Sequence, residues 1–254
     1  MRSKLTENWK RIEQRIADAC ARANRKPSSV TLVAVTKAAS LEVIQTLVEI
    51  GLADLGENRV QELIKRAAML QELMSRRERN PSSPPQSTPR WHMIGHLQRN
   101  KVRDVLPWVT LVHSVDSLRL AEEIDAEAAK LGRRIPILLE VNPSPEASKF
   151  GVAVAATTHL AEQINSLRHI ELRGLMAMAP LIDDESIIRH SFGRVRELFD
   201  EIVGERICGP NFKELSLGMS NDFEYGIEAG ATFVRIGSAL LEGIEIDPQP
   251  TQVE

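Results

Sequence analysis

Residues 30–37 read VTLVAVTK, and the interpretation of the chain turns on them. The run is almost continuously apolar and β-branched, as expected of a strand buried on both faces of a parallel sheet, and it ends on a lysine. Downstream, residues 41–50 carry a helical pattern closed by Gly51, and residues 53–56 form a short second strand leading into a helix over 58–74. Upstream, Leu5, Trp9, Ile12, Ile16 and Ala19 recur at helical spacing, while Glu7, Glu13 and Asp18 put acid on the opposite face. That pattern describes a structural helix and argues against a secretory or transit leader.

The alternation continues to the end of the chain. Strands are predicted at 91–94, 110–115, 135–141, 170–176, 212–217 and 233–236. The helices between them cover 97–106 (stopped by Pro107), the stretch from Ser117 to Gly132, 154–167, the stripe Ile188, Phe192, Val195, Phe199 and Ile202, and 221–229. About eight strands alternating with helices over about 250 residues predict a single α/β domain over 1–254, a (β/α)8 TIM barrel with an extra N-terminal helix. A doubly wound sheet would carry a G-x-G-x-x-G or P-loop fingerprint, and neither occurs. Residues 75–90 break the rhythm: 76–90 read RRERNPSSPPQSTPR, and the segment is expected to be a mobile Pro/Ser-rich surface loop.

Of the 254 residues, 43% are hydrophobic and 26% charged, with a net charge of −3, so no strong field draws the chain to nucleic acid or an anionic membrane. No apolar run approaches the roughly 18 residues of a membrane span. Two distant cysteines, Cys20 and Cys208, suit neither a disulfide scaffold nor a zinc knuckle, which makes the cytoplasm the expected location; the chain is also expected to be a monomer.

In a parallel barrel the chemistry lies at the C-terminal ends of the strands. Polar residues gather there: Lys37, Glu57 and Asn58, His92, Asn142, then Ser216 and Ser220, then Arg235 and Ser238. The loops after the last two strands, LGMSN at 217–221 and Gly237-Ser238, look suited to an anion. Gly218 permits a tight turn, and Ser220 and Ser238 are placed to cap following helices. Taken singly, each is equally a plain turn or cap. Lys37 is likewise either a solvated residue past its strand or an amine stripped of hydration, the condition for a carbonyl nucleophile. A lysine beside a phosphate cradle suits a phosphorylated aldehyde or a sugar phosphate.

Several segments together resemble the pyridoxal phosphate homeostasis proteins of the YggS/PROSC type, relatives of the alanine racemase N-terminal barrel. They are VAVTK ending at Lys37, GENRVQE (56–62), WHMIGHLQRNK (91–101), HSVDS (113–117), EVNPSPEASKFG (140–151), LRGLMAMAP (172–180), LSLGMSNDFEYGI (215–227) and VRIGSAL (234–240). The resemblance covers nearly the whole chain. It implies a fold-type III barrel with pyridoxal 5′-phosphate (PLP) held as a Schiff base on Lys37. It further implies phosphate contacts from Ser220, Gly237 and Ser238, Arg235 beside the pyridine nitrogen, and Asn58 near the ring. An arginine there donates to the ring nitrogen and keeps it unprotonated, which weakens the ring as an electron sink. The chain departs from the family pattern at TKAAS (36–40, typically SKTKP), at His96, at Gly226 and in the proline-rich insertion; the missing lysine two positions after Lys37 bears on how cofactor is handed on.

The implied role is a non-catalytic carrier in intracellular PLP homeostasis, supplying apo-enzymes that use the cofactor, with no metal. An alanine-racemase-like racemase would need a second base, and the only tyrosine, Tyr225, falls on the helix after the phosphate loop. The other alternative is an aldolase using Lys37 on a sugar phosphate. His92 and His96 would lie about 13 Å apart along a strand, too far for one metal. Asp183, Asp184 and Glu185 suit a helix N-terminus. Glu140 is expected to be a paired acid inside the barrel, and Lys149 with Gly151 to anchor a loop near the mouth.

Overall fold

The computed structural model describes residues 1–78, 87–144, 150–180 and 182–245. Its strands are β1 (Thr31–Val35), β2 (Asp54–Glu57), β3 (Arg90–Met93), β4 (Val109–Val115), β5 (Ile135–Asn142), β6 (Val152–Ala153), β7 (Ile170–Ala177), β8 (Glu214–Leu217) and β9 (Phe233–Ile236). The helices are α1 (Arg2–Arg22), α2 (Leu41–Glu49), α3 (Val60–Glu78), α4 (Val102–Val105), α5 (Leu118–Leu131), α6 (Val154–Asn165), α7 (Glu185–Gly204) and α8 (Phe223–Glu228). All pairings are parallel. β1 bonds both β2 and β9, and β4 bonds both β3 and β5, so eight strands close into a ring with β6 appended to the end of β5. The (β/α)8 barrel read from the sequence is therefore the fold, and β6 is an addition that two residues of sequence could not announce.

Local chemistry sets the helix ends. Ser40 Oγ and Ser117 Oγ accept the N–H groups of Val43 and Leu120, Asp184 accepts those of Ser186 and Ile187, and Gly132 ends α5 in the left-handed conformation at φ 63°. On α7, Ile188, Phe192, Val195, Phe199 and Ile202 are all buried. Inside the ring a small separate cluster, Leu111, Leu138 and Met176 with Phe233, fills the barrel interior. The N-terminal helix closes the seam: Asn8 donates to the carbonyls of Leu240 (3.0 Å) and Glu242 (2.8 Å), holding down the segment after β9.

Several boundaries differ from expectation. The helix expected at 97–106 is a 3-10 turn, Arg99–Lys101, followed by α4, which suffices to bury Leu97, Val102, Val105 and Leu106. Phe212 is apolar because it stacks on Phe199 (centroids 5.1 Å apart), and β8 begins only at Glu214. α3 continues through 75–78, where a loop was expected, helped by an Arg76–Glu72 ion pair one helical turn back and by Arg77–Glu49 across to α2. Residues 79–86 of that segment, and Lys149, lie outside the described residues.

Candidate functional site

In ring order β2, β1, β9 and β8 are consecutive, so the loops that follow them form one continuous arc at the C-terminal mouth. Lys37, Asn58, Gly237 with Ser238, and Ser220 all lie on that arc, and Arg235 stands just inside it on β9. Far apart in sequence, all six become neighbours through strand order.

The anion-suited loops work differently from the expectation. Ser220 caps no helix, because α8 starts at Phe223. Its Oγ instead accepts N–H from Gly237 (3.2 Å) and Ala239 (3.3 Å), tying the loop after β8 to the turn after β9. No helix follows Ser238 either; residues 238–240 form a turn closed by Leu240 and Leu241 N–H on the Gly237 carbonyl, 3.0 Å each. The tight approach of the two loops depends on Gly218 (φ 88°), where a Cβ would come within 2.5 Å of Phe223 Cα. The Asp222 carboxylate accepts Met219 N–H at 2.5 Å, turning the backbone before α8. Among the described residues, no acceptor meets the backbone N–H groups of Ser220, Asn221 and Ser238. With two serine hydroxyls beside them, they form a concave set of donors at one point of the rim, as a phosphate requires.

Lys37 is exposed, one residue beyond buried Thr36, so the expectation that it loses its hydration is not met. What fixes it is its backbone. Arg66, from α3, donates through Nη1 to the Thr36 carbonyl and to Glu57 Oε1, and through Nη2 to the Lys37 carbonyl at 3.3 Å. Glu57 is 0% exposed, and Thr36 Oγ1 also donates to its Oε1, at 2.6 Å. Burial pushes the Glu57 carboxyl up, opposed by Arg66 and Thr36. Sequence reading missed this clamp; its signal was the acid at the end of β2. Among the described residues the neighbouring Asn58 leaves its Oδ1 buried without a partner, and its backbone is held against Gly95, where a Cβ would meet Asn58 O at 2.4 Å.

Arg235 is 3% exposed. Nη1 donates to Ser216 O (2.8 Å) and Ser216 Oγ (2.5 Å) and Nη2 to Ala177 O (3.0 Å), while no acceptor among the described residues meets Nε. Burial lowers its pKa to about 10, with Glu140 and Asp222 opposing, so it stays a cation at neutral pH. Glu140 makes no ion pair or hydrogen bond among the described residues, contrary to the paired acid expected. Burial, then the Asp116 charge, raises it to about 7 against the pull of Arg235. On the β3–β4 side of the rim, Phe150 stacks on His96 (centroids 4.7 Å) and His96 Nδ1 lies 3.4 Å from Asp116 Oδ2. His92 points into the barrel toward Asp54 and His113, away from His96. Among the described residues no cluster of His, Cys, Asp or Glu could hold a metal, and no helix is long and apolar enough to cross a membrane. Cys20 and Cys208 are both free.

The arrangement brings an amine, a set of unpaired backbone donors and a buried guanidinium to one arc of the barrel rim. The sequence model described as "Alanine racemase, N-terminal domain" matches residues 2–243. The curated pyridoxal phosphate homeostasis protein of Aquifex aeolicus is 37% identical over 234 residues, covering 92% of this chain and 96% of that one. The crystal structure of an unknown protein from Bifidobacterium adolescentis superposes with a TM-score of 0.86 at 37% identity, covering 94% and 95% of the two chains. PipY of Synechococcus elongatus, solved with PLP bound, superposes with a TM-score of 0.74 at 33% identity, covering 89% of this chain and 99% of PipY.

Proposed function

The chain belongs to the pyridoxal phosphate homeostasis proteins, within the alanine racemase N-terminal domain family, and on that premise we propose that it binds PLP at Lys37 as a cytoplasmic, monomeric carrier. The observation that carries the reading is the set of N–H groups at Ser220, Asn221 and Ser238 that meet no acceptor among the described residues, with two serine hydroxyls beside them, on the loops one and two strands from Lys37 on the same arc. The residues present fit the group. A doubly charged phosphate matches the unpaired N–H groups of Ser220, Asn221 and Ser238, with Gly237 N–H bonded to Ser220 Oγ at their edge; Asn58 Oδ1 is orphaned and Arg235 Nε–H meets no acceptor among the described residues, which suits a ring nitrogen.

When bound, PLP supplies an aldehyde that condenses reversibly with amines and a pyridine ring that withdraws electrons. The chain's own residues limit that second capacity. Arg235 holds its proton at neutral pH, so it donates a hydrogen bond to a ring nitrogen without protonating it. Lys37 provides the anchoring amine, and Arg66 and Glu57 hold its backbone still. A second base for racemisation is not in view: Tyr225 packs under the Arg189 guanidinium (4.4 Å) on α8, outside the barrel. Storage and hand-over of cofactor to apo-enzymes that require it therefore suit this site better than amino-acid turnover, and nucleic acid or membrane plays no part.

Incubation with PLP followed by desalting should leave a yellow protein. Borohydride reduction should then fix the cofactor mass on the Lys37 peptide, and Lys37→Ala should abolish both signals. A colourless protein, or a label on another lysine, overturns the reading. Racemisation or transamination of any amino acid at an enzyme-like rate overturns the carrier role.

A further inference from the structure

A chain of buried hydrogen bonds crosses the barrel from its N-terminal face to Arg235. Arg90, half exposed at the start of β3, clasps Asp54 through Nε (2.7 Å) and Nη2 (2.5 Å). Asp54 Oδ1 meets His92 Nε2 at 3.0 Å, His92 Nδ1 meets His113 Nε2 at 2.9 Å, and His113 Nδ1 meets Ser216 Oγ at 2.9 Å. Ser216 Oγ in turn accepts Arg235 Nη1 at 2.5 Å. Asp54, His92, His113, Ser216 and Arg235 are all buried, and Phe233 packs its edge against both imidazoles. None of the links to Asp54 or to the histidines touches the rim of the mouth.

The proton positions along this chain follow from its two ends. Burial would raise the Asp54 carboxyl, but hydrogen bonds from His92 and Arg90 hold it at about 2, so it only accepts. His92 must then direct Nε2–H at Asp54. Burial, reinforced by the Arg235 cation, drives His113 well below the usual histidine value, leaving it one proton to place. At the other end Arg235 can only donate, so Ser216 Oγ accepts from it and sends its own O–H to His113 Nδ1. His113 therefore carries its proton on Nε2 and donates to His92 Nδ1. Every link holds one proton, and all run in one direction, from Arg235 toward Asp54. The opposite sense, with His92 Nδ1–H donating to His113 Nε2, would turn His113 Nδ1–H onto Ser216 Oγ, which would then receive two donors with nowhere to send its own hydrogen.

We propose that Asp54, His92, His113 and Ser216 form a hydrogen-bonded relay of fixed polarity that positions the Arg235 guanidinium toward the cofactor ring. They are positioning residues, acting through Arg235. The proposal rests on PLP occupying the site as described above. The remaining groups facing Arg235 are Glu140 from β5 and Asp222 after β8.

Nitrogen NMR of histidine-labelled protein, free of cofactor and unmutated, tests the polarity directly. The His113 proton should lie on Nε2, directed at His92 Nδ1; an Nδ1–H tautomer at His113 overturns the relay. In Asp54→Asn combined with Arg90→Ala, which removes the Nε–H that would oppose the amide NH2, the amide can donate to His92, and the His113 proton should move to Nδ1. The dissociation constant for PLP should rise about tenfold and the visible band should shift, with borohydride still labelling Lys37. An unchanged tautomer, or a dissociation constant within about twofold of the parent, overturns the proposal. Arg90→Ala alone, which leaves Asp54 and every inner link in place, should retain the His113 tautomer. If the parent shows the expected tautomer but takes no cofactor on Lys37, the proposal falls at its premise, and the functional reading falls with it.

Discussion

Arg66→Ala should be the most destabilising change near the mouth, and acid should partly rescue it. In the folded chain Arg66 is the only cation paired with Glu57 among the described residues, while Glu57 Oε2 is already buried without a partner. Removing one side of a buried pair leaves an uncompensated charge, which typically costs about 3–5 kcal/mol. For a chain of this size that corresponds to a fall of roughly 6–20 °C in Tm. The sign of the pH effect follows from Glu57. Its folded pKa lies above the ordinary glutamate value, so between the two values the folded state holds more protons than the unfolded state. Stability is full below the unfolded value and is lost as pH rises through the folded one. Without Arg66 the folded value rises further, so the deficit of Arg66→Ala should be smaller at acid pH and grow as pH rises, on top of the pH-independent loss of the Thr36 and Lys37 carbonyl bonds. Urea unfolding at acid and alkaline pH measures this, and Glu57→Gln in the Arg66→Ala background should recover the pH-dependent part. A deficit equal at both pH values, or a double variant weaker than Arg66→Ala at alkaline pH, would refute the argument.

Glu140, raised to about 7 from 4.5, should cost the parent up to roughly 3 kcal/mol as pH climbs through that interval, so Glu140→Gln should gain on the parent at pH 8 and not at pH 4. Parallel stability profiles from chemical denaturation would contradict it. Ser220→Ala removes the acceptor for two backbone N–H groups that water can reach, so stability should change by less than about 1 kcal/mol, while PLP affinity falls about tenfold. Calorimetric titration reads this; unchanged affinity would remove Ser220 from the phosphate site.

The barrel was legible because its evidence is local. VTLVAVTK, the capped helices at Ser40 and Ser117, Gly132 and the α7 stripe each declare an element through periodicity or backbone preference, and strand count then selects the fold. Boundaries failed where an apolar residue served a different neighbour, as with Phe212 stacked on Phe199. Lys37, Ser220, Arg235 and Ser238 stood out because polar residues at the ends of apolar strands are conspicuous, and the family resemblance suggested the ligand proposed for them.

The partners of those residues were beyond sequence reading. Arg66 looks like any helix arginine until α3 packs its side chain behind β1 and β2, and Ser220 looks like a helix cap until β8 and β9 bring it under the N–H groups of Gly237 and Ala239. His92, His113 and Ser216 belong to three strands separated by long loops, and only ring closure stacks their side chains into one line. Sequence by itself determined the elements, their order and the identity of the reactive groups, because propensity and alternation act over a few residues. Tertiary structure alone decided which charges share a low-dielectric interior and which donors remain unpaired, because those depend on distances set by the closed sheet.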